Sequence, residues 1–188
     1  YGLGKALAGV VFATGLMLVI IAGGELFTGN TLITIGVLEK KIKLKDMLSN
    51  WFFVYLGNFV GAVFIAYMMN MSGLFNSGDN MLGGITLKIA AYKTHLTFSQ
   101  AFYLGIMCNW LVCIAVWMSY GAKDIIGKCF AIFFPISLFI TSGFEHSIAN
   151  MYYIPAGILA KSNASWVEAS GLTAEKLANL NWNTFITK

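Results

Sequence analysis

Charge is scarce in this sequence of 188 residues. Only 11% of the residues are charged, and the cations are twelve lysines with no arginine. Because typical soluble domains carry ~25% charged residues, this composition indicates a chain that lies in a lipid bilayer. The lysines cluster in the connections between apolar runs, so the formal net charge of +4 does not indicate a nucleic-acid-binding protein.

The residues that enzymes and metal sites require are also few. The three cysteines, Cys108, Cys113 and Cys129, form no Cys-x-x-Cys pair, and His95 and His146 form no His-x-x-x-His pair. No nucleophilic serine motif accompanies them, so we expect neither an enzyme nor a bound metal or cofactor. The cysteines are interpreted as small buried hydrophobic residues.

Four apolar segments are long enough to cross a membrane. Residues 6–24, 51–69 and 101–118 carry no charge, over about the ~20 residues that a span requires. The fourth segment, residues 129–160, is interrupted at Glu145 and His146. No basic segment or cleavage site precedes the first run, which is therefore not interpreted as a signal peptide.

Two longer segments, residues 5–38 and 129–161, contain the same internal repeat. The pattern Gly-x-Glu-x-x-x-x-Asn occupies residues 23–30 and returns at residues 143–150. Each copy lies near the middle of a segment that would be ~50 Å long as one helix, against ~30 Å of hydrocarbon. We therefore predict two broken helices, with residues 26–29 and 143–146 outside regular helix. A tilted helix with long extramembrane ends is the alternative.

The lysines predict an orientation. The two most basic short connections, residues 39–46 and 123–128, are expected in the cytoplasm. The two copies of the repeat would then run in opposite directions, which is the inverted-repeat topology of transport proteins. A complete pair of three-helix units would need one more span at each end, so we interpret the chain as part of a six-span protein.

Several motifs resemble those of the formate/nitrite transporter family. They are Glu25-Leu26-Phe27-Thr28, residues 57–61, residues 115–120 and above all residues 142–151, Ser-Gly-Phe-Glu-His-Ser-Ile-Ala-Asn-Met. The resemblance covers the whole chain. It implies an all-α membrane protein with an aquaporin-like inverted repeat. Residues 1–188 would form a single transmembrane channel domain. This domain would comprise the second to fifth helices of a six-helix protomer.

The resemblance also implies the assembly and the pore residues. It implies a homopentamer in the bacterial inner (cytoplasmic) membrane, with a separate pore through each protomer. His146 and Thr28 would meet at the pore centre, where an imidazole with an unperturbed pKa near ~6.5 can gain or lose a proton. The other implied residues are the apolar constrictions Phe12, Leu16, Leu26, Phe27 and Phe139, and the outer vestibule residues Lys93 and Asn109.

The polar residues of the repeat are expected to support the helix breaks. Glu25 and Glu145 are predicted to accept hydrogen bonds from backbone amides that the breaks leave free. Asn30 and Asn150 are predicted to cap the second half of each broken helix.

The sequence therefore predicts a channel for small monovalent anions of weak acids, such as formate, hydrosulfide or nitrite. The anion would be protonated for part of its passage, because a nearly neutral acid avoids much of the cost of burying a charge. The alternative is an aquaporin-like channel for neutral solutes, although neither break contains an Asn-Pro-Ala motif.

Overall fold

The computed structural model describes residues 2–187, and these are helical apart from short connections. The helices are α1 (Gly2–Ala22), α2 (Phe27–Asn30), α3 (Ile33–Leu38), α4 (Leu44–Met71), α5 (Met81–His95), α6 (Phe98–Gly121), α7 (Ile125–Ser142), α8 (Ser147–Ala160), α9 (Ala164–Ser170), α10 (Ala174–Ala178) and α11 (Trp182–Thr187), with a 3₁₀ turn at Leu74–Asn76. Four of them, α1, α4, α6 and α7, are long and apolar enough to cross a membrane. The predicted all-α membrane class is confirmed.

The described residues form two compact units. The first comprises residues 2–56 and 102–146, and the second comprises residues 57–101 and 147–187. The prediction of a single channel domain over residues 1–188 stays a prediction, as does the predicted orientation.

The core of the first unit lies where α1 and α6 pack with α7. Its buried residues are Ala13, Leu16, Cys108, Val112, Ala115, Val116, Ile132, Ile136 and Phe139. Gly9 marks a close approach of α1 to α7, because a Cβ there would lie 2.8 Å from the carbonyl oxygen of Ser137. The Ser137 hydroxyl donates a hydrogen bond of 3.3 Å to the Gly9 carbonyl. A small residue at this position therefore sets the spacing of the two helices.

In the second unit, α5 is the central helix and packs against α8 and α9. A Cβ added at Gly157 of α8 would overlap the methyl group of Ala90 on α5, and one added at Gly83 would meet the Trp166 ring of α9. The Trp166 indole N–H also donates to the side-chain oxygen of Asn76 at 2.8 Å. These contacts fix α9 against the side of α5.

The second helix break lies where the sequence predicts it. Helix α7 ends at Ser142, and Gly143 adopts a φ of +80°, in the left-handed region that favours glycine. The amide of Gly143 donates to the carbonyls of Phe139 and Ile140 at 3.1 and 3.0 Å. Helix α8 begins at Ser147, so residues 143–146 lie outside regular helix, as predicted.

The predicted bounds of the first break are wrong by three residues. Helix α1 ends at Ala22, Gly23 has a φ of +74°, and α2 already begins at Phe27. The break therefore covers residues 23–26 rather than 26–29. The reason is that the amides of Gly29 and Asn30 both donate to the Leu26 carbonyl at 2.9 Å, so the helix restarts directly after Leu26.

Candidate functional site

Thr28 and His146 are in hydrogen-bond contact, although 118 residues separate them in the sequence. Thr28 is the second residue of α2, and His146 directly precedes α8, so each lies beside a helix break. The Thr28 Oγ1 and His146 Nε2 atoms are 3.2 Å apart, and the two residues are only 5% and 7% exposed. Because a hydroxyl both donates and accepts, the pair is satisfied with either imidazole tautomer.

Aromatic rings flank the imidazole. The Phe139 ring centroid lies 5.9 Å from that of His146, and the Phe12 ring meets Phe139 edge-on at 5.6 Å. Phe139 is fully buried. These two predicted constriction residues therefore form an apolar wall beside the imidazole.

Two other predicted constriction residues, Leu16 and Leu26, line a small cavity in the first unit. Its volume is about 150 Å³, and its further lining residues are Val19, Ile20, Gly24, Gly29, Asn30, Val116 and Tyr120. A water molecule occupies ~30 Å³ in the liquid, so a cavity of this size holds only a few small molecules. Its walls are chiefly apolar residues, with the side chains of Asn30 and Tyr120 as the polar exceptions.

Phe27 has a different environment. Its ring packs edge-on against Trp51 at 6.0 Å and against Tyr55 at 5.1 Å, and both partners belong to α4. These contacts anchor the first turn of α2 to α4. The constriction role of Phe27 stays a prediction.

Glu25, in the first break, is hydrogen-bonded to Asn30 of α2 and to Asn50 of α4. Its Oε2 atom accepts hydrogen bonds from Asn30 Nδ2 at 2.7 Å and from Asn50 Nδ2 at 3.1 Å. Asn30 Nδ2 also donates to Asn50 Oδ1 at 2.9 Å. The Trp51 indole N–H donates to the Asn30 carbonyl, the carbonyl of the last residue of α2, at 2.9 Å. Sequence reasoning missed Asn50, because its 25-residue separation from Glu25 follows no local pattern.

The predicted capping roles of the repeat asparagines are wrong. Asn30 is the last residue of α2, whose N-cap is Leu26, and Asn150 lies inside α8. Both helices restart before the asparagines are reached, so neither side chain can cap a first turn. Glu145 is 5% exposed at the end of the second break. Its supporting role, like that of Asn150, stays a prediction.

A second polar network reaches the backbone of Thr28. The Thr31 hydroxyl donates to the Thr28 carbonyl at 2.7 Å, and Asn109 Nδ2 donates to the Thr31 hydroxyl at 3.1 Å. The Cys113 sulfur lies 3.2 Å from the same hydroxyl. Sequence reasoning missed Thr31, and it interpreted Cys113 only as a hydrophobic residue. Asn109 thus contacts the turn that carries Thr28, while its vestibule role stays a prediction.

Lys93 lies in the second unit, in the last turn of α5 rather than in an irregular loop. Its Nζ atom is 5.3 Å from the centroid of the Tyr153 ring of α8. A cation over an aromatic face is attracted by the negative face of the ring. Tyr153 is another residue that the sequence did not single out.

The described residues 2–187 contain no group of three or more His, Cys, Asp or Glu side chains placed to hold a metal ion.

Comparison with known proteins identifies the family. The family model described as "Formate/nitrite transporter" matches residues 1–188. The chain belongs to the formate/nitrite transporter family. It is 43% identical over 190 residues to the formate channel FocA of Haemophilus influenzae, with 100% of this chain and 67% of that protein covered. The identity to FocA of Escherichia coli K12 is 39%, with 100% of this chain and 66% of that protein covered.

A solved structure supports the same assignment. A protein described as "Pentameric formate channel with formate bound" is 40% identical and has a TM-score of 0.88, with 99% of this chain and 74% of that chain covered. The chain spans about two thirds of the length of the two FocA proteins that it matches. Family membership and the four apolar helices identify a multi-pass membrane protein. The relatives are transport proteins rather than enzymes, as the sequence predicts.

Proposed function

We propose that this chain forms the pore-bearing part of a formate channel in the bacterial cytoplasmic membrane, assembled as a homopentamer. The observation that carries the proposal is the buried contact of 3.2 Å between Thr28 Oγ1 and His146 Nε2, with each residue beside a helix break. Formate is favoured over hydrosulfide and nitrite because the relatives with 43% and 39% identity are named as formate channels. The pentameric structure is the basis for the proposed assembly.

His146 and Thr28 are proposed to handle the anion and its proton. An imidazolium donates a hydrogen bond to a formate oxygen and passes its proton to that oxygen, giving formic acid and neutral imidazole. The neutral acid then crosses the apolar constriction, and the proton returns to the imidazole as formate leaves. This avoids most of the cost of carrying a bare charge through hydrocarbon.

The remaining predicted residues have supporting roles in this proposal. Lys93 raises the local concentration of anions at the outer entrance. Asn109 is proposed to line the outer vestibule and also to act through its hydrogen bond to Thr31. The constrictions disfavour hydrated ions by excluding water, and they comprise Phe12, Leu16, Leu26, Phe27 and Phe139. Glu25 with Asn30 supports the first break, and Glu145 with Asn150 supports the second.

The test is flux of formate into vesicles that contain the intact protein. His146→Phe keeps an aromatic ring beside Phe139 but removes both ring nitrogens. A hydrogen bond to a charged group contributes ~1.5–3 kcal/mol, so formate flux should fall about 10- to 100-fold. The dependence of flux on pH between about pH 5 and pH 8 should disappear with the imidazole. The variant should remain pentameric, since only polar atoms inside the protomer are lost.

Thr28→Val provides a graded second variant. The hydroxyl contributes one neutral hydrogen bond worth ~1 kcal/mol, so flux should fall only about fivefold. Thr34→Val is the matched control, because the Thr34 hydroxyl donates to the Met47 thioether at 3.7 Å, away from His146. Its flux should equal that of the parent.

Two results would overturn the proposal. Parental formate flux with an unchanged pH profile in His146→Phe would show that the imidazole does not act on the anion. Flux of water or glycerol without any flux of formate, hydrosulfide or nitrite would favour the aquaporin-like alternative. Parallel measurements with the three anions also decide which of them is carried fastest.

A further inference from the structure

The second unit contains a basic cleft that is lined by residues other than the predicted site residues. It lies between α5 and the segment that joins α9 to α10, and its volume is about 530 Å³. We name it the α5 cleft and define it by its lining residues Lys88, Ala91, Tyr92, His95, Ser170, Gly171, Leu172 and Lys176.

The charged side chains that line the α5 cleft are of one sign. Lys88, Tyr92 and His95 follow each other at spacings of four and three residues, which places them on one face of α5. Lys176 of α10 completes the lining. Glu168 and Glu175 belong to the neighbouring segment, but neither lines the cleft. The described lining therefore contains two lysines and a histidine without a carboxylate, which favours an anionic ligand.

The walls of the cleft are fixed by close packing. A Cβ at Gly84 of α5 would lie 2.8–2.9 Å from backbone atoms of Ala169 and Ser170, so the end of α9 is held directly against α5. The Ser170 hydroxyl donates to the Val167 carbonyl at 2.6 Å and accepts from the Leu172 amide at 3.2 Å. The turn that carries the far wall is thus hydrogen-bonded in place.

The size of the cleft indicates a ligand larger than formate. Formate has three heavy atoms, whereas sites of ~300–1,000 Å³ typically hold organic molecules of drug-like size. An anion that fills the α5 cleft needs an organic body in addition to acidic oxygens. Tyr92 and Leu172 supply surfaces against which such a body can pack.

The position of the cleft along the chain indicates where this anion comes from. His95 is only three residues before Phe98, the first residue of the apolar helix α6. Three residues of extended chain reach at most ~11 Å, so the cleft edge lies within or close to the headgroup region of the bilayer. Tyr92 and Phe98 are 57% and 72% exposed, as expected for aromatic residues at a membrane interface.

We propose that the α5 cleft binds the phosphate headgroup of an anionic membrane phospholipid. Lys88 and Lys176 supply the charges, while His95 and the Tyr92 hydroxyl donate hydrogen bonds to phosphate or glycerol oxygens. This site is separate from the Thr28–His146 pair, and it does not depend on which anion the protein transports.

The experiment is native mass spectrometry of the intact protein in detergent, titrated with phosphatidylglycerol or phosphatidylcholine. The parent should retain phosphatidylglycerol selectively. A lysine near the membrane surface contributes about a factor of five in affinity for an acidic lipid, so the double variant Lys88→Gln/Lys176→Gln should bind it about 25-fold more weakly. Lys88→Arg/Lys176→Arg should restore binding, because both charges are kept.

A matched control removes two charges elsewhere. Lys43 and Lys45 lie in the connection before α4 and at its start, and both are exposed. Lys43→Gln/Lys45→Gln should leave the tightly retained phosphatidylglycerol in place. Equal losses in the two glutamine variants would overturn the proposal, because lipid retention would then follow total charge rather than the cleft.

Three further results would also overturn it. Undiminished phosphatidylglycerol binding by Lys88→Gln/Lys176→Gln would exclude the cleft as the lipid site. Tight binding of soluble glycerol 3-phosphate in the absence of lipid selectivity would assign the cleft to a soluble phosphate ester. A change in the number of protomers caused by the glutamine variant would show that a neighbouring subunit covers the cleft.

Discussion

At the scale of single residues, Thr31 controls how the turn that carries Thr28 is held. Its hydroxyl has one proton, and this proton is donated to the Thr28 carbonyl at 2.7 Å. The hydroxyl oxygen must therefore accept from Asn109, whose Nδ2 atom lies 3.1 Å away. Because the Thr31 oxygen can only accept here, the Asn109 amide must turn its Nδ2 atom, and not its Oδ1 atom, toward Thr31. Thr31 thus links α6 to the residue that contacts His146.

We predict that Thr31→Val impairs both stability and transport. The substitution preserves shape but leaves the Thr28 carbonyl and the Asn109 amide without this partner, at a cost of ~1–3 kcal/mol. The thermal unfolding midpoint should fall by several degrees, and formate flux should fall a few-fold because Thr28 is less firmly positioned. Thr34→Val should change neither quantity. Equal behaviour of the two valine variants in both assays would contradict the role assigned to Thr31.

At the scale of the helices, glycine allows α1 and α7 to approach closely. A Cβ at Gly9 would lie 2.8 Å from a backbone oxygen of α7, and backbone atoms cannot rotate away as the end of a flexible side chain can. The same helix contains Gly15, where a Cβ would meet no described atom within 4 Å. The two glycines therefore form a matched pair within one helix.

We predict that Gly9→Ala destabilises the protein and that Gly15→Ala does not. The added methyl group at residue 9 forces α1 away from α7, and such overpacking typically costs ~1–3 kcal/mol. At residue 15, the higher helix propensity of alanine should leave stability unchanged or slightly improved. Thermal unfolding of the two variants in detergent measures the difference. A Gly9→Ala protein as stable as the parent would mean that the interface adjusts without loss.

At the scale of the whole molecule, α4 presents a long apolar surface. Met47 and Ala66 are the only buried residues of this helix, all of which is described, whereas Phe52, Phe53, Val60, Phe64 and Ile65 are all at least half exposed. A Cβ atom added at Gly57 or Gly61 would meet no described atom within 4 Å, so the small size of these residues serves no contact inside the described protomer. Small residues four apart allow helices from different subunits to approach closely.

We predict that the intact protein is a pentamer in detergent and that Gly57→Leu/Gly61→Leu lowers the pentameric fraction. Two added isobutyl groups on one helical face would prevent close contact with a neighbouring subunit. Val60→Leu is the control, because it adds one methylene to an exposed side chain in the same turn. Mass measurement in detergent distinguishes the species. A stable monomer of the parent would contradict the assembly, and a pentameric double variant would place the glycines on a lipid-facing surface.

The sequence by itself determined the family, the membrane class, the apolar spans and the second helix break. These features depend on local properties, namely the length of uncharged runs, a ten-residue motif, and a glycine at residue 143 that readily takes a left-handed turn. The contact between His146 and Thr28 also followed from the sequence, although only through resemblance to a family.

The tertiary structure alone decided the partners of these residues. Asn50 binds Glu25, Asn109 binds Thr31, and Lys93 lies over the ring of Tyr153, across separations of 25, 78 and 60 residues. The first break ends three residues earlier than predicted because the Leu26 carbonyl accepts hydrogen bonds from two amides, and no local sequence pattern indicates where the helix restarts. Such contacts depend on how closely helices pack, and packing distances are set jointly by residues that lie far apart in the chain.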